Sequence, residues 1–266
     1  MNRIDIGRRF FMEQKQILLI IPAYNEAESI EKVLINVKKH RLIPYMDVLV
    51  IDDGSLDDTA QKVKNQGVKV ISQVFNMGYG VALQTGYKYA VEHRYEYVIQ
   101  MDADGQHDLV NLDRICEKLG CLTEKENAPD IVVGSRFLEG SQSFKMSKLK
   151  MIAIHIFRIV VAHTTGCKLT DLTSGLQGMN KKAFSYYAQY QNFDTKYPDL
   201  NMLVQMLLLG FEIQEIPAIM YERVAGVSMH AGLLKAGKYM ILMSLSTLKV
   251  YLLYRKKRIK EIEKRG

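Results

Sequence analysis

Residues 98–107 read Val98-Ile99-Gln100-Met101-Asp102-Ala103-Asp104-Gly105-Gln106-His107, an apolar run that ends in two aspartates. A short run of this kind predicts a strand that is buried on both faces. Asp102 and Asp104, with Gln106 two residues further on, offer the oxygen ligands that suit Mg²⁺ or Mn²⁺. Taken alone, the stretch also fits a strand that runs into an acidic turn. The rest of the chain decides between the two interpretations.

Two other apolar runs end in polar residues in the same way. Ile17–Ile21 leads into Pro22-Ala23-Tyr24-Asn25-Glu26, and Val48–Ile51 leads into Asp52-Asp53-Gly54-Ser55. Helical patterns follow each run, and further strands are predicted at 68–72 and 97–100. This alternation indicates βαβ units, and therefore an α/β fold with a mostly parallel sheet. Because right-handed crossovers place the strands' C-terminal ends at one edge, we expect the polar ends to line a single crevice.

Length and cysteine content restrict the class of protein. A chain of 266 residues suits one large α/β core with a C-terminal appendage. Cys116, Cys121 and Cys167 form no CxxC pair, which favours a reduced, cytoplasmic compartment without a zinc site. Residues 1–16 are charged and lack an apolar core of signal-peptide length. Neither GxxxxGK nor GxGxxG follows the first strand, which disfavours nucleotide kinases and dinucleotide dehydrogenases.

Five motifs, in order, resemble those of the inverting family-two nucleotide-sugar glycosyltransferases of the GT-A fold. They are Pro22-Ala23-Tyr24-Asn25-Glu26, Asp52-Asp53-Gly54-Ser55, Asn76-x-Gly78-x-Gly80, Asp102-Ala103-Asp104 and Gly134-Ser135-Arg136. Two stretches, Asp102-Ala103-Asp104-x-Gln106-His107 and Asp171-x-x-Ser174-Gly175, are similar to those of the polyprenyl- and dolichyl-phosphate sugar transferases. The resemblance covers roughly residues 16–230 and implies a Rossmann-like, mostly parallel sheet flanked by helices.

The resemblance implies a donor site and a metal site. It places a set of residues around the base and ribose of the nucleotide sugar, namely Pro22, Ala23, Tyr24, Glu26 and Asp53. Asp102 and Asp104, with Gln106, would bind Mg²⁺ or Mn²⁺ and the donor diphosphate. A divalent ion between the two phosphates would stabilise the charge that develops on the leaving nucleoside diphosphate.

The same resemblance suggests an anionic acceptor. A polyprenyl phosphate is already an anion, so its attack needs positioning cations and no general base. The candidate acceptor-binding residues are Arg136, Arg223, Lys148 and Ser174, and arginine suits phosphate through its bidentate fork. Alternatively, Arg223 forms a surface salt bridge with Glu222 or another neighbour, and Lys148 lies on a solvated helix face.

Two positions depart from the family pattern. Tyr79 stands where many relatives carry a lysine, so no cation is offered to the donor there. Leu176 and Gln177 follow the Ser-Gly pair where an arginine is often found. Because that arginine is missing, the way in which the relatives bind their acceptor cannot be carried over directly to this chain.

The candidate catalytic residues are Asp104, Arg136 and Arg223, and Asp199 is a further one. In relatives with hydroxyl acceptors, an acid in a similar place serves as the general base. Next to Pro198, however, Asp199 is equally suited to cap a helix predicted over Leu200–Leu209.

The net charge of +7 lies in the two ends of the chain. Residues 255–266 carry seven basic and two acidic side chains, residues 1–16 carry four and two, and the remainder is neutral. Aromatic interleaving and a recognition motif are missing, which disfavours nucleic acid as the partner.

A long helical pattern over Met229–Tyr254 precedes the basic end. Lys235, Lys238 and Lys249 fall on one narrow stripe, and most of the remaining circumference is apolar. Its longest uncharged run, ten residues, is short of the roughly 20 that span a bilayer. The pattern fits a helix at an anionic membrane surface, an ordinary packing helix, or a seam between protomers. The family resemblance favours the membrane.

These observations predict three regions and one activity. The regions are a basic N-terminal segment (1–16), a GT-A domain (17–228) and an amphipathic, basic, membrane-associating tail (229–266). The expected enzyme is an inverting, metal-dependent hexosyl or N-acetylhexosaminyl transferase for cell-surface glycan assembly. It would move a sugar from a nucleotide donor, expected to be a UDP-sugar, to undecaprenyl- or dolichyl-type phosphate at the cytoplasmic membrane face. A small membrane subunit or a homo-oligomer could assist it.

Two alternatives remain open. The first is an inverting transferase that acts on a hydroxyl of a growing glycan, with Asp199 as base. The second is a non-catalytic sugar-nucleotide-binding or scaffold protein, against which the intact pair of Asp102 and Asp104 argues.

Overall fold

The computed structural model describes residues 15–123, 125–144, 148–223 and 241–255. The predicted N-terminal segment, up to residue 14, and much of the predicted tail therefore lie outside the described residues. Within the described residues, seven strands form one sheet in the order β3-β2-β1-β4-β6-β5-β7. They are β1 (Ile17–Ala23), β2 (Met46–Asp52), β3 (Lys69–Ser72), β4 (Tyr97–Gln100), β5 (Ile131–Ser135), β6 (Gln177–Asn180) and β7 (Ile213–Pro217).

Pairing in the sheet is parallel except at one strand. β6 runs antiparallel to both of its neighbours, β4 and β5, and all other neighbouring pairs are parallel. The predicted α/β fold with a mostly parallel sheet is thereby confirmed.

Helices cover both faces of the sheet. They are α1 (Ile30–Lys38), α2 (Thr59–Asn65), α3 (Tyr79–Glu92), α4 (Val110–Leu119), α5 (Lys148–Thr165), α6 (Lys181–Ala188), α7 (Leu200–Leu208) and α8 over residues 241–255. Successive residues of β1 alternate between two cores because strand side chains point to opposite faces. Leu19 packs with α1 and α4 on one face, and Leu18 packs with α3 and α6 on the other.

A third, smaller core joins α8 to the rest of the molecule. Met243 and Val250 of α8 pack with Val204 of α7 and Val161 of α5. A polar cluster adds to this contact: the Asp194 carboxylate accepts hydrogen bonds from Ser246 Oγ (2.7 Å) and Asn201 Nδ2 (2.8 Å). The inner face of α8 is therefore a packing face, which agrees with the interpretation of this segment as an ordinary packing helix.

The outer face of α8 stays apolar and exposed. Ile241, Leu245, Leu248, Leu252 and Leu253 are all exposed, Leu245 to 57 %. Among the described helices, none has both the length and the apolar content needed to cross a bilayer.

Candidate active site

The carboxyl ends of β1, β2 and β4 lie side by side, as the parallel order requires. Ala23 is in register with Asp52, the last residue of β2, and the Asp53 amide donates to the Ala23 carbonyl oxygen (2.9 Å). Met101, which follows β4, donates through its amide to Ile20 of β1 (3.1 Å). The loops after these three strands therefore meet at one edge of the sheet, where α/β folds commonly bind ligands.

Hydrogen bonds join the loop after β1 to the loop after β2. Asn25, which adopts a left-handed backbone (φ 53°), donates through its amide to Ser55 Oγ (2.9 Å). Its side-chain oxygen accepts from the Leu56 amide (2.8 Å), and the Glu26 amide donates to Thr59 Oγ1 (2.8 Å). Of the predicted donor residues here, Pro22 and Ala23 are buried, whereas Tyr24 is exposed at the rim.

Asp53 holds the loop that precedes α3. Its carboxylate accepts hydrogen bonds from the amides of Met77 and Gly78, each at 2.8 Å. Burial, together with the nearby Asp52 carboxylate, raises the pKa of Asp53 although these two amides act to lower it. The residue predicted to contact the nucleotide thus also fixes the entry into α3.

Two carboxylates contact Arg223 in the crevice, and a third, Asp102, is close enough for Arg223 to lower its pKa. Arg223 Nη2 lies 3.0 Å from Glu26 Oε1 and 3.2 Å from Asp104 Oδ2. Burial raises the pKa of Glu26, and the charges of Asp104 and Asp102 act in the same direction, against a hydrogen bond from Ser29 and the charge of Arg223. Arg223 therefore lies in the site and pairs with Glu26 and Asp104, not with the Glu222 suggested by the sequence.

Asp102 has its own set of contacts. The Tyr79 hydroxyl donates to Oδ1 at 3.0 Å, and His107 Nε2 lies 3.5 Å from Oδ2 without the geometry of a hydrogen bond. Burial alone would raise the pKa of Asp102, but His107, Tyr79 and Arg223 outweigh it, so the pKa is lowered. The neighbours of Asp102 therefore favour its ionised form.

Gln106 lies beside this cluster, with its side-chain amide turned toward the backbone. Its backbone amide donates to Asp104 Oδ1 (3.0 Å), and its side-chain nitrogen donates to the Tyr221 carbonyl oxygen (3.1 Å). Tyr221 in turn donates through its amide to the Gln106 carbonyl oxygen (2.7 Å). These bonds fix the turn that carries Asp104 against the segment that carries Arg223.

The donor set fits a hard divalent cation in type and charge. Within the described ranges, no group of three or more His, Cys, Asp or Glu side chains is arranged to hold an ion. Asp102 and Asp104 nevertheless supply oxygen ligands of the kind that Mg²⁺ and Mn²⁺ prefer. Together with Glu26 they place three carboxylates near one arginine, and their mutual repulsion contributes to the raised pKa of Glu26. A cation would relieve that repulsion.

Arg136 is engaged in a buried ion pair. Its Nε and Nη2 donate to the two Asp171 oxygens at 2.6 and 2.7 Å, and Nη2 also donates to Thr173 Oγ1 (2.9 Å). The Arg136 side chain is only 7 % exposed and that of Asp171 is fully buried. Glu215 accepts from the Asp171 amide (2.7 Å) and so holds the loop in place. The predicted acceptor-binding guanidinium thus already has a carboxylate partner.

The remaining predicted acceptor residues occupy different positions. Lys148 is the first residue of α5, and its side chain lies outside the described part of the chain. Ser174 is buried, and its hydroxyl accepts from the Leu176 amide (3.3 Å).

Asp199 stands at the start of α7, but its side chain makes no capping hydrogen bond there. Instead, Asn201 Oδ1 accepts from the amides of Asp199 (3.3 Å) and Met202 (2.9 Å). Asp199 is close enough to Tyr79 and Arg136 to raise the pKa of both, after the larger effects of burial and of the nearer acids. The residue therefore belongs to the crevice wall.

Sequence reasoning missed three side chains of this site. At Tyr79 the sequence shows only the absence of a lysine, and at His107 only a motif position. Nothing in the sequence pairs Asp171 with Arg136. The 35-residue separation of Arg136 and Asp171 leaves no local spacing signal. The position of Tyr79 directly after Gly78, at a helix start, was the one available hint.

Comparisons with known proteins show the family to which this chain is similar. The model of glycosyl transferase family 2 matches residues 18–187. The undecaprenyl-phosphate mannosyltransferase of Micrococcus luteus is 26% identical over 235 residues, which cover 82% of this chain and 88% of the relative. A UDP-N-acetylglucosamine–dolichyl-phosphate N-acetylglucosaminyltransferase of Methanococcus voltae is 29% identical over 195 residues, covering 67% of this chain and 74% of the relative.

A solved structure shares the fold. The glucosyl-3-phosphoglycerate synthase of Mycobacterium tuberculosis, crystallised with Mn²⁺, UDP and glucosyl-3-phosphoglycerate, superimposes with a TM-score of 0.61 at 17% identity. The match covers 92% of this chain and 83% of that one.

Proposed function

Since the chain belongs to glycosyl transferase family 2, we propose that it transfers a sugar from a nucleotide donor, a UDP-sugar, to a polyprenyl phosphate. The names of the two relatives support an acceptor of this class. The observation that carries the proposal is the placement of Arg223 between Glu26 and Asp104, at the edge where the three strands end.

This placement suits an anionic acceptor. A phosphate monoester bears negative charge at neutral pH, so it can attack the sugar without losing a proton to a base. What it needs is a cation near the donor, and the Arg223 guanidinium, held there by Glu26 and Asp104, would supply that positive charge. Arg136, held by Asp171, would contribute positive potential and the shape of the wall. Ser174 and Lys148 remain proposed acceptor contacts.

The donor side would use the carboxylates. Asp102 and Asp104 would hold Mg²⁺ or Mn²⁺, with Gln106 beside them, and the ion would stabilise negative charge on the leaving diphosphate. Pro22, Ala23, Tyr24, Glu26 and Asp53 are proposed to surround the base and ribose.

A membrane surface is the proposed place of reaction, at its cytoplasmic face. The exposed apolar face of α8 is accompanied by a second one on α5, where Ile152, Ile156 and Ile159 are exposed. Both helices pack into the third core, so their exposed faces belong to one part of the molecule. Apolar faces on adjacent helices, followed by a basic end of the chain, are typical of interfacial attachment.

A second candidate function is transfer to a hydroxyl of a growing glycan. It is favoured by Asp199, which lies close enough to Tyr79 and Arg136 to raise the pKa of both. In that case Asp199 would take the proton from the acceptor hydroxyl.

The test is a donor and acceptor panel in detergent with Mn²⁺. UDP-sugars and a GDP-sugar are each combined with undecaprenyl phosphate, with undecaprenol or with an oligosaccharide, and nucleoside diphosphate release and the glycolipid product are measured. We expect product with the lipid phosphate and none with the alcohol. Transfer to the oligosaccharide alone, abolished in Asp199→Asn, would establish the second function instead. Asp104→Asn serves as the inactive control.

A further inference from the structure

We propose that Tyr79 is a positioning residue that sets the orientation and the available charge of Asp102, and thereby the affinity of the crevice for a divalent cation with a nucleoside diphosphate. This inference rests on the proposed function, because it assumes that Asp102 is a ligand of the cation. It assigns a role to a side chain that the donor and acceptor sets above leave out.

The contacts around Asp102 leave its carboxylate little freedom. The Tyr79 hydroxyl donates to Oδ1 at 3.0 Å, and His107 lies on the Oδ2 side at 3.5 Å. Gly175 closes a third side: a Cβ atom there would lie 2.8 Å from Asp102 Oδ2 and 3.1 Å from the Tyr79 hydroxyl. A side chain at residue 175 would therefore push Tyr79 and Asp102 apart. The three residues form one packed unit.

Tyr79 is itself held firmly. It is the first residue of α3, and its ring packs against the core that α3 shares with α6 and α7. The next residue, Gly80, lies against the backbone of Thr195 so closely that a Cβ atom would overlap it. The start of α3 cannot shift without moving the loop at Thr195, so the Tyr79 hydroxyl is presented to Asp102 from a fixed point.

The charge of the group that donates the hydrogen bond to Asp102 matters as much as its position. A phenol is neutral near pH 7, so Tyr79 binds one oxygen of Asp102 without neutralising its charge. An ammonium group in the same place would bind the carboxylate and also cancel its charge. With a tyrosine, no positive charge is added to the cluster of Glu26, Asp102 and Asp104 beyond that of the neighbouring Arg223. The site is thus pre-set for a cation.

Two substitutions separate orientation from charge. Tyr79→Phe keeps the ring and removes the hydroxyl, so Asp102 keeps its charge and loses its anchor. A hydrogen bond to a charged group is worth enough that we expect Mn²⁺ binding to weaken about tenfold. Tyr79→Lys keeps a hydrogen-bond donor at residue 79 and adds a positive charge within hydrogen-bonding distance of Asp102. We expect about a hundredfold weakening for that variant, since charge repulsion acts directly on the cation.

The experiment measures free Mn²⁺ by electron paramagnetic resonance while the full chain is titrated in the presence of UDP. No sugar transfer is needed. The matched control is Tyr89→Phe, which removes from the same helix a hydroxyl that accepts from Lys69 at the surface (2.7 Å). This control should bind Mn²⁺ like the unaltered chain. Transfer by Tyr79→Phe should recover at saturating Mn²⁺, which a merely misfolded variant would not show.

The outcomes distinguish this inference from the proposed function. Unchanged Mn²⁺ affinity in Tyr79→Phe and Tyr79→Lys would overturn the role of Tyr79. Absence of Mn²⁺ binding by the unaltered chain with UDP would overturn it as well. Mn²⁺ binding that is weaker in Tyr79→Phe and weaker still in Tyr79→Lys supports the role of Tyr79. It does so even if no lipid phosphate is glycosylated, because the lack of glycosylation would count only against the proposed acceptor.

Discussion

Arg223 and Glu26 are 197 positions apart in the chain, yet their side chains lie 3.0 Å from each other. The same guanidinium contacts Asp104 at 3.2 Å, so it joins the segment after β7 to the loops after β1 and β4. Late and early parts of the chain thus meet at the charged floor of the crevice. Replacing Arg223 by a neutral residue changes both the positive charge offered to an acceptor and the repulsion among the carboxylates.

Arg223→Ala should therefore impair transfer to polyprenyl phosphate far more than it impairs UDP binding. We expect a loss of about 10²-fold in kcat/KM, the size typical of losing one preorganised electrostatic stabiliser. Arg223→Lys should recover only part of it, because lysine offers a point charge in place of a fork. The control is Arg41→Ala, which removes a surface partner of Asp113. Normal lipid transfer by Arg223→Ala would show that the acceptor cation lies elsewhere.

Removal of divalent metal should abolish transfer. EDTA is expected to stop nucleoside diphosphate release, and added Mn²⁺ or Mg²⁺ should restore it, because the leaving diphosphate gains its charge compensation from the ion. Asp104→Asn should lower the rate by about 10²-fold or more at saturating metal. The control Asp113→Asn, on α4, should not. Undiminished turnover in EDTA would refute the metal-binding role of Asp102 and Asp104.

The pair of Arg136 and Asp171 should be essential to stability. Asp171→Ala leaves a buried guanidinium without its carboxylate, a change that typically costs about 3–5 kcal/mol of unfolding free energy. Glu96→Ala breaks an exposed pair with Lys181 and should cost less than about 1 kcal/mol. Urea denaturation followed by circular dichroism measures both. Equal midpoints for the two variants would show that the buried pair is replaceable by water or by other donors.

The outer face of α8 should bind anionic vesicles. Replacing Leu245, Leu248 and Leu252 by serine removes apolar burial, so co-sedimentation should fall at all salt concentrations. Deleting residues 255–266 should weaken binding mainly at low ionic strength, because salt screens that attraction. Leu56→Ser is the control, since Leu56 is 88 % exposed and lies in the loop after β2. Equal sedimentation of the triple variant and the unaltered chain would contradict docking through α8.

The parallel half of the sheet was predictable because its strands are continuous apolar runs. β1, β2 and β4 follow the predicted ranges closely, and their polar ends meet as the rule for parallel strands requires. The antiparallel strand β6 was not predicted. Its sequence, Gln177 to Asn180, has neither apolar alternation nor β-branched residues, and its pairing with β4 and β5 depends on tertiary packing.

The residues of the site were predictable from the sequence only where local structure sets their position. Residues that directly follow strands, such as Asp102 and Asp104, could be placed from the sequence, since their position is set by local structure. The bonds that decide what they can do come from distant segments. Tyr79 reaches Asp102 across 23 positions, and Arg223 reaches Asp104 across 119. No local period encodes such pairings.

Asp194 gives the C-terminal helix a direct connection to the crevice. Its carboxylate holds Ser246 of α8, and its neighbour Thr195 rests against Gly80 in the first turn of α3. Two consecutive residues of one loop therefore contact α8 on one side and the start of α3 on the other. Gly80 makes this close contact possible, because any side chain at residue 80 would overlap the Thr195 backbone and push the loop away from α3.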